Sequence, residues 1–216
     1  MEIYNNSFHS GHLYIKIDDD EAGKVQVSQF EKLFNEQRKP LQTAVLSNDC
    51  KLIKLLKDSG FILKRKCYET DVSASDLKFP PANHPHQLIE TRKGTDDYAI
   101  CAEMMYEYYS DTHFAVNPLT ASRSEFYDIL PANAIYSMTG NIIDSAAFIE
   151  DNEIAYLCSC NKIGFSEFAQ SLLIYMFGKF DRIFFEADDT DWAATELRNM
   201  FSIENIISRD TYVKTK

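Results

Sequence analysis

Asn161, Lys162, Gly164, Phe165 and Ser166 stand between an apolar run, Ile154 to Cys158, and a stretch of helically spaced apolar residues that opens near Ser166. A strand, a turn centred on Gly164 and a helix form an arrangement suited to holding an anion. Backbone N–H groups in the first helical turn have no partner inside the helix, the positive end of the helix dipole lies there, and a glycine lets a ligand approach the main chain. The chemistry this points to is the binding of a phosphate or diphosphate, as in an enzyme that uses a nucleotide-type cofactor.

Other groupings carry chemical residue types. After the apolar run Arg182 to Glu186 come Asp188, Asp189, Thr190 and Asp191. An Asp-x-Asp pair there could hold a divalent metal on a diphosphate, the chemistry of a metal-dependent nucleotide-sugar transferase. The same carboxylates also suit the start of the helix carrying Trp192, Leu197 and Met200, where acids cap the first turn and complement the dipole. His84-Pro85-His86 is half a metal site with no third ligand near in sequence, inside a proline-rich stretch, and reads as solvated linker. Asp18 to Glu21 lacks the glycine and spacing of a calcium loop and reads as a solvated turn. No metal is expected.

A formal net charge of −11 over 216 residues disfavours nucleic acid or an anionic membrane as main partner, since both would be repelled at long range. No segment has the apolar length of a membrane span, and Met1 to Asn6 lack the basic-then-apolar order of a secretion signal, so a cytoplasmic protein is expected. The cysteines, Cys50, Cys67, Cys101, Cys158 and Cys160, are odd in number and scattered, which suits reduced thiols. Cys158 and Cys160 alternate on a strand and read as small core residues facing one side.

The elements that must position the turn repeat along the chain. Near the N-terminus the pattern predicts strand Leu13–Ile17, helix Val25–Gln37, strand Leu41–Leu46, helix Asp49–Ser59 and a strand from Phe61. The order β-α-β-α-β returns as strand Ile154–Cys158, helix Ser166–Phe177, strand Arg182–Glu186, helix Asp191–Met200 and strand Ile203–Ser208. At one constant offset Lys24 to Phe30 falls on Lys162 to Phe168, which puts Gln26 where the second copy has Gly164. Stripes such as Val27, Phe30, Leu33 and Phe34, or Phe168, Leu172, Leu173 and Met176, have the spacing of core-facing helices. Residues 71–87 change to Pro, Ser, Asn and His and mark a linker, giving expected domains at 1–75 and 87–216 joined by 76–86. After the linker come strand Leu88–Glu90, helix Asp96–Ser110, helix Ser122–Leu130, and strands Ala134–Met138 and Ser145–Ile149 with a turn at Gly140-Asn141.

From residue 87 onward this order resembles the GCN5-related N-acetyltransferase family, which binds acetyl-CoA and moves its acetyl group to an amine. The family opens the helix after its fourth strand with Gln or Arg, two residues, Gly, one residue, then Gly or Ala. Asn161-Lys162-Ile163-Gly164-Phe165-Ser166 is similar to it, with Asn and Ser as departures. The N-terminal copy resembles the second half of such a domain, Gly60-Phe61 included, and with Gln26 at the turn reads as a structural remnant. The resemblance implies an α/β (α+β) fold with a mixed sheet flanked by helices, preceded by a partial copy that shares sheet edges with it.

It also implies roles. Acetyl-CoA is the expected cofactor, with pantetheine along Leu157, Cys158 and Ser159 where two strands splay. Its pyrophosphate would lie on the amides of Ile163, Gly164, Phe165 and Ser166, near Lys162 and Thr190. Direct attack of an amine on the thioester needs a base and an acid. Glu153 is the candidate base. The family's acid, a Tyr of the last helix, falls on Leu197 here, and Tyr212 is the candidate substitute. The acceptor is a small-molecule amine or a protein amino group. A catalytically silent acyl-CoA or metabolite binder is the rival reading, supported by the missing Tyr and the altered turn.

Overall fold

The structure, a computed structural model, describes residues 1–18, 24–79, 87–204 and 207–215. Along the chain run β1 (Glu2–Tyr4), β2 (Leu13–Lys16), α1 (Val27–Gln37), β3 (Leu41–Leu46), α2 (Cys50–Asp58), β4 (Ile62–Ser73), β5 (Ile89–Arg92) and α3 (Asp96–His113). They are followed by α4 (Arg123–Ile129), β6 (Asn133–Thr139), β7 (Ile142–Glu150), β8 (Glu153–Ser159), α5 (Phe165–Phe177), β9 (Arg182–Asp188), α6 (Trp192–Asn199) and β10 (Arg209–Lys214). This is the mixed α/β architecture expected. The chain divides into unit 1, residues 1–68, 113–121 and 206–216, and unit 2, residues 69–112 and 122–205. His84-Pro85-His86 and Asp19 to Glu21 lie outside the described residues.

In unit 1 the strand order is β1-β2-β3-β10-β4. β2 and β3 are parallel, as a connection through α1 requires, and pair at Leu13↔Leu41 and Tyr14↔Gln42. α1 turns its expected stripe inward, burying Phe30 and Leu33, and α2 is capped by Asp49, whose carboxylate accepts the Leu52 amide at 2.9 Å. These helices and strands enclose a core of Leu13, Ile15, Phe30, Leu41, Leu56 and Tyr212, among others.

The closing strand differs from the sequence expectation. It forms at Arg209–Lys214, while of the expected Ile203–Ser208 the described residues 203, 204, 207 and 208 are not strand and 205–206 lie outside the described residues. It lies in unit 1, antiparallel to β3 from Arg209↔Leu46 to Lys214↔Leu41 and to β4 on its other side. Every residue of β10 after Arg209 is buried, so its polar residues must be satisfied internally. Asp210 accepts the Ser208 hydroxyl at 2.6 Å, and the Lys214 ammonium donates to the Ser59 carbonyl at 2.8 Å. The first part of the expected linker is also structured. β4 continues through Ser73 with Thr70 and Val72 buried in alternation, and Asp76 then accepts the Ser73 amide at 2.7 Å to end the strand in a short turn.

In unit 2 the order is β4-β9-β8-β7-β6-β5. β5 to β8 form an antiparallel meander. The β6–β7 hairpin turns at Gly140-Asn141 as expected, with Gly140 at φ +63°, a conformation that favours glycine. One face of the sheet packs Ile154, Leu157, Ile183, Phe185 and Ala187 against Phe168, Leu172, Leu173 and Met176 of α5 and Ala194 and Leu197 of α6. On the other face Phe148 meets Tyr98 of α3 edge-on, and Tyr156 meets Tyr109 of α3 and Phe126 of α4. None of the described helices is long and apolar enough to cross a membrane.

Candidate active site

β8 and β9 pair in parallel only at Glu153↔Phe184 and Ile154↔Phe185, although β8 runs on to Ser159 and β9 to Asp188. The cause of the parting is local. Against β7, Ile154 faces Ile149 and Tyr156 faces Phe148, which leaves Ala155 without an opposite number. Such a bulge bends its strand and strengthens its twist, and here it turns β8 away from β9 one residue after their last pair. The backbone of Leu157, Cys158 and Ser159 therefore has β7 on one side and no β9 pairing on the other.

At the far end of β8 the turn leads into α5, whose N-cap is Gly164 with ordinary right-handed backbone, φ −84°. Gly164 offers no side chain to cap the helix. Asn161 braces the residue before the helix: its Oδ1 accepts the Gly164 amide at 3.1 Å, and its Nδ2 donates to Asp144 at 3.0 Å. Asp144, on β7 and nearly buried, also accepts the hydroxyls of Ser137 and Thr139 at 2.9 and 2.7 Å. A Cβ placed on Gly164 would come within 2.6 Å of the Asn161 carboxamide nitrogen, so the space over the glycine is filled by Asn161. Phe165 is buried and Ser166 half-buried, while Ile163 and Lys162 are exposed, with the Lys162 ammonium 5.1 Å from the Trp192 ring centre.

The register of Glu153 opposite Phe184 puts Glu186, two residues further along β9, on the same sheet face as Glu153, and the Ala155 bulge puts Tyr156 there too. Glu153 is half-buried. Burial, then the like charges of Glu186 and Glu150, raises its carboxyl above the usual range. Burial raises the Tyr156 phenol as well, with Glu153 and Glu186 adding to it.

Between the diverging ends, Tyr108 of α3 donates to Asp191 at 2.5 Å and accepts the Ala193 amide at 3.1 Å. Asp191 also accepts the Ala194 amide at 3.0 Å, which makes it the N-cap of α6. Burial raises the Asp191 carboxyl and, together with that neighbouring acid, the Tyr108 phenol. Asp191 thus serves the helix start, as one sequence reading held, and its bonds are taken up by Tyr108 and α6. Cys158 is fully buried, but Cys160 lies past the strand end and is exposed, so the two do not share the buried side expected of them.

The mixed α/β fold of this chain is shared with solved structures. A GCN5-related N-acetyltransferase from Kribbella flavida is 12% identical, with 97% of this chain and 83% of that chain covered at a TM-score of 0.55. One from Sphaerobacter thermophilus is 11% identical, with 98% and 74% covered at 0.53. A putative acetyltransferase from Pyrococcus horikoshii is 13% identical, with 98% and 67% covered at 0.52. The chain has the fold of the GCN5-related N-acetyltransferases. No family model matches the sequence, and no curated protein matches it either.

Within this acetyltransferase fold, Glu153, Leu157, Cys158, Ser159, Lys162, Gly164, Phe165, Ser166 and Thr190 all belong to unit 2. Tyr212 belongs to the buried core of unit 1, 2% exposed, and is not among them. Leu197, where the family resemblance called for tyrosine, is 1% exposed in the unit 2 core. Sequence reasoning missed Tyr108, Asp144, Tyr156 and Glu186. Only the alternation of β8 and β9 carried a signal for Tyr156 and Glu186, and it needed the bulge to place both on one face.

Proposed function

We propose that unit 2 binds acetyl-CoA between the parted strands and transfers its acetyl group to an amine, either a small molecule or a protein amino group. The observation that carries this reading is the early end of β8–β9 pairing, which leaves the Leu157 to Ser159 backbone without a β9 partner in a fold otherwise used by acetyltransferases. The residues at the turn fit a diphosphate in part. Lys162 supplies an exposed cation, and the first-turn amides of Phe165 and Ser166 have no acceptor within their own helix. Ile163 and Thr190 complete the cofactor contacts that the family resemblance implies. The Gly164 amide joins them when Asn161 swings aside.

Acetyl-CoA supplies an activated thioester carbonyl and a thiol leaving group. Glu153 acts as base and takes the proton that the amine nitrogen loses on attack; the environment that raises its carboxyl also makes its carboxylate a better proton acceptor. Glu186 adds to this basicity by repulsion. Tyr156, on the same face as Glu153 and held protonated by its surroundings, protonates the departing sulfur in this reading, in place of Tyr212. The N-terminal copy in unit 1 serves as a structural remnant of the same fold, with Gln26 at the helix start where unit 2 has Gly164.

Calorimetric titration of the full chain with acetyl-CoA, beside Gly164→Glu, tests the pocket. Binding by the unaltered chain alone is expected. Binding by both would place the ligand elsewhere, and binding by neither would overturn the reading. Release of the CoA thiol on adding amines then separates transfer from silent binding.

A further inference from the structure

At the end of unit 2 away from the Gly164 turn, a cleft of about 600 Å³ opens beside the edge strand β5. Its volume lies in the range of small-molecule sites, and its floor is apolar: Ile135 and Ile149 of the sheet, Met176 of α5, and Phe180 just past it. Five charged side chains line it. Three of them are satisfied within the protein. Glu90 accepts the Tyr175 hydroxyl at 2.9 Å and lies 3.8 Å from Lys179, and Asp97 accepts the Tyr136 hydroxyl at 2.7 Å.

Arg92 and Asp151 are different. Both line the cleft, and among the described residues neither guanidinium nor carboxylate has a side-chain partner. They do not meet each other because β6 and β7 stand between them. Arg92 lies opposite Asn133 on β6, Asn133 lies opposite Ile149 on β7, and Asp151 follows two residues later in the β7–β8 turn. Two strand spacings put about 10 Å between Arg92 and Ile149 along the sheet, with the apolar floor in that gap. An unpaired cation and an unpaired anion separated by an apolar floor are complementary to an elongated molecule with opposite charges at its ends.

We propose that this cleft is a second small-molecule site of unit 2, which takes a short zwitterion with an apolar body, of the size of a dipeptide with free termini. Arg92 holds the carboxylate through its planar fork, Asp151 holds the ammonium, and the apolar side chains lie on Ile149 and Phe180. The acetyl-CoA reading is not needed for this, since no residue of that site lines the cleft.

The test is titration of the full chain with leucyl-leucine, its methyl ester and its N-acetyl derivative, followed by ligand-observed NMR and calorimetry. The free dipeptide is expected to bind at least about tenfold more tightly than either blocked form, a factor that corresponds to about 1.4 kcal/mol. Arg92→Met should abolish the preference over the ester, Asp151→Asn the preference over the N-acetyl form, and Gly164→Glu should leave both unchanged. Both cleft positions are exposed, and an unchanged far-UV spectrum would verify folding of the variants. Equal binding of all three probes, no binding of any, or preferences that survive both substitutions would overturn the proposal.

Discussion

Asn161 accepts the amide of Gly164 at 3.1 Å, so the side chain at the first place of the β8–α5 turn covers the glycine at its centre. On its other side it donates to the nearly buried Asp144 at 3.0 Å, which anchors the turn to β7. Asn161→Ala removes both bonds and uncovers the glycine. It should bind acetyl-CoA more tightly than the unaltered chain in calorimetry, while losing about 1 kcal/mol of stability from the lost donor to Asp144, or about 2–4 °C in Tm. Weaker binding by the variant would show that Asn161 is part of the cradle.

Gly164→Ala is compatible with the local backbone, since φ is −84°, but its Cβ would come within 2.6 Å of the Asn161 carboxamide. The cost is therefore displacement of Asn161, not strain. In a double-mutant cycle, the alanine should be destabilising in the natural background and close to neutral beside Asn161→Ala, with coupling of about 0.5–3 kcal/mol in denaturant midpoints. Additive effects would rule out this contact.

Tyr108 links α3 to the start of α6 through two hydrogen bonds, one to a carboxylate that burial already raises. Tyr108→Phe keeps the ring and removes the hydroxyl, leaving Asp191 with only its helix amides. Equilibrium urea unfolding should show a loss of about 1–3 kcal/mol. A loss below about 0.3 kcal/mol would mean that water replaces the hydroxyl freely.

The pH dependence of Glu153 has a definite sign. Its carboxyl is raised in the folded state by burial and by Glu186 and Glu150, so the native protein holds a proton that the unfolded chain releases. Its contribution to stability is full below the unfolded carboxyl's pKa and is lost as pH rises through the folded value. Glu153→Gln should therefore raise Tm relative to the unaltered chain at pH 7 and not at pH 4, while slowing acetyl transfer. Glu186→Gln relieves the repulsion, so the acidic limb of its rate profile should move to lower pH. A limb that stays in place would remove Glu153 from the role of base.

The parts of this fold that depend on near neighbours in sequence were legible. Asp49, Ser122 and Asp191 cap helices as their types suggest, Gly140 turns a hairpin, and the stripes of α1 and α5 face cores. What escaped the sequence depends on partners far along the chain. β10 reads Arg-Asp-Thr-Tyr-Val-Lys, without the continuous apolar run of a buried strand, because its burial comes from pairing with residues more than 160 positions earlier. At the candidate site, the Gly164 turn came from local pattern and Glu153 from the family resemblance. Tyr108 meets Asp191 across 83 residues and Asn161 meets Asp144 across 17, and neither distance leaves a periodic trace.

The central claim is that the parted strands, and no other part of the chain, receive acetyl-CoA. Amide hydrogen exchange of the full chain with and without saturating acetyl-CoA measures this directly. Added protection concentrated in residues 155–159 and in the first turn of α5 is the predicted result. Exchange unchanged in both segments, while the ligand binds, would contradict it.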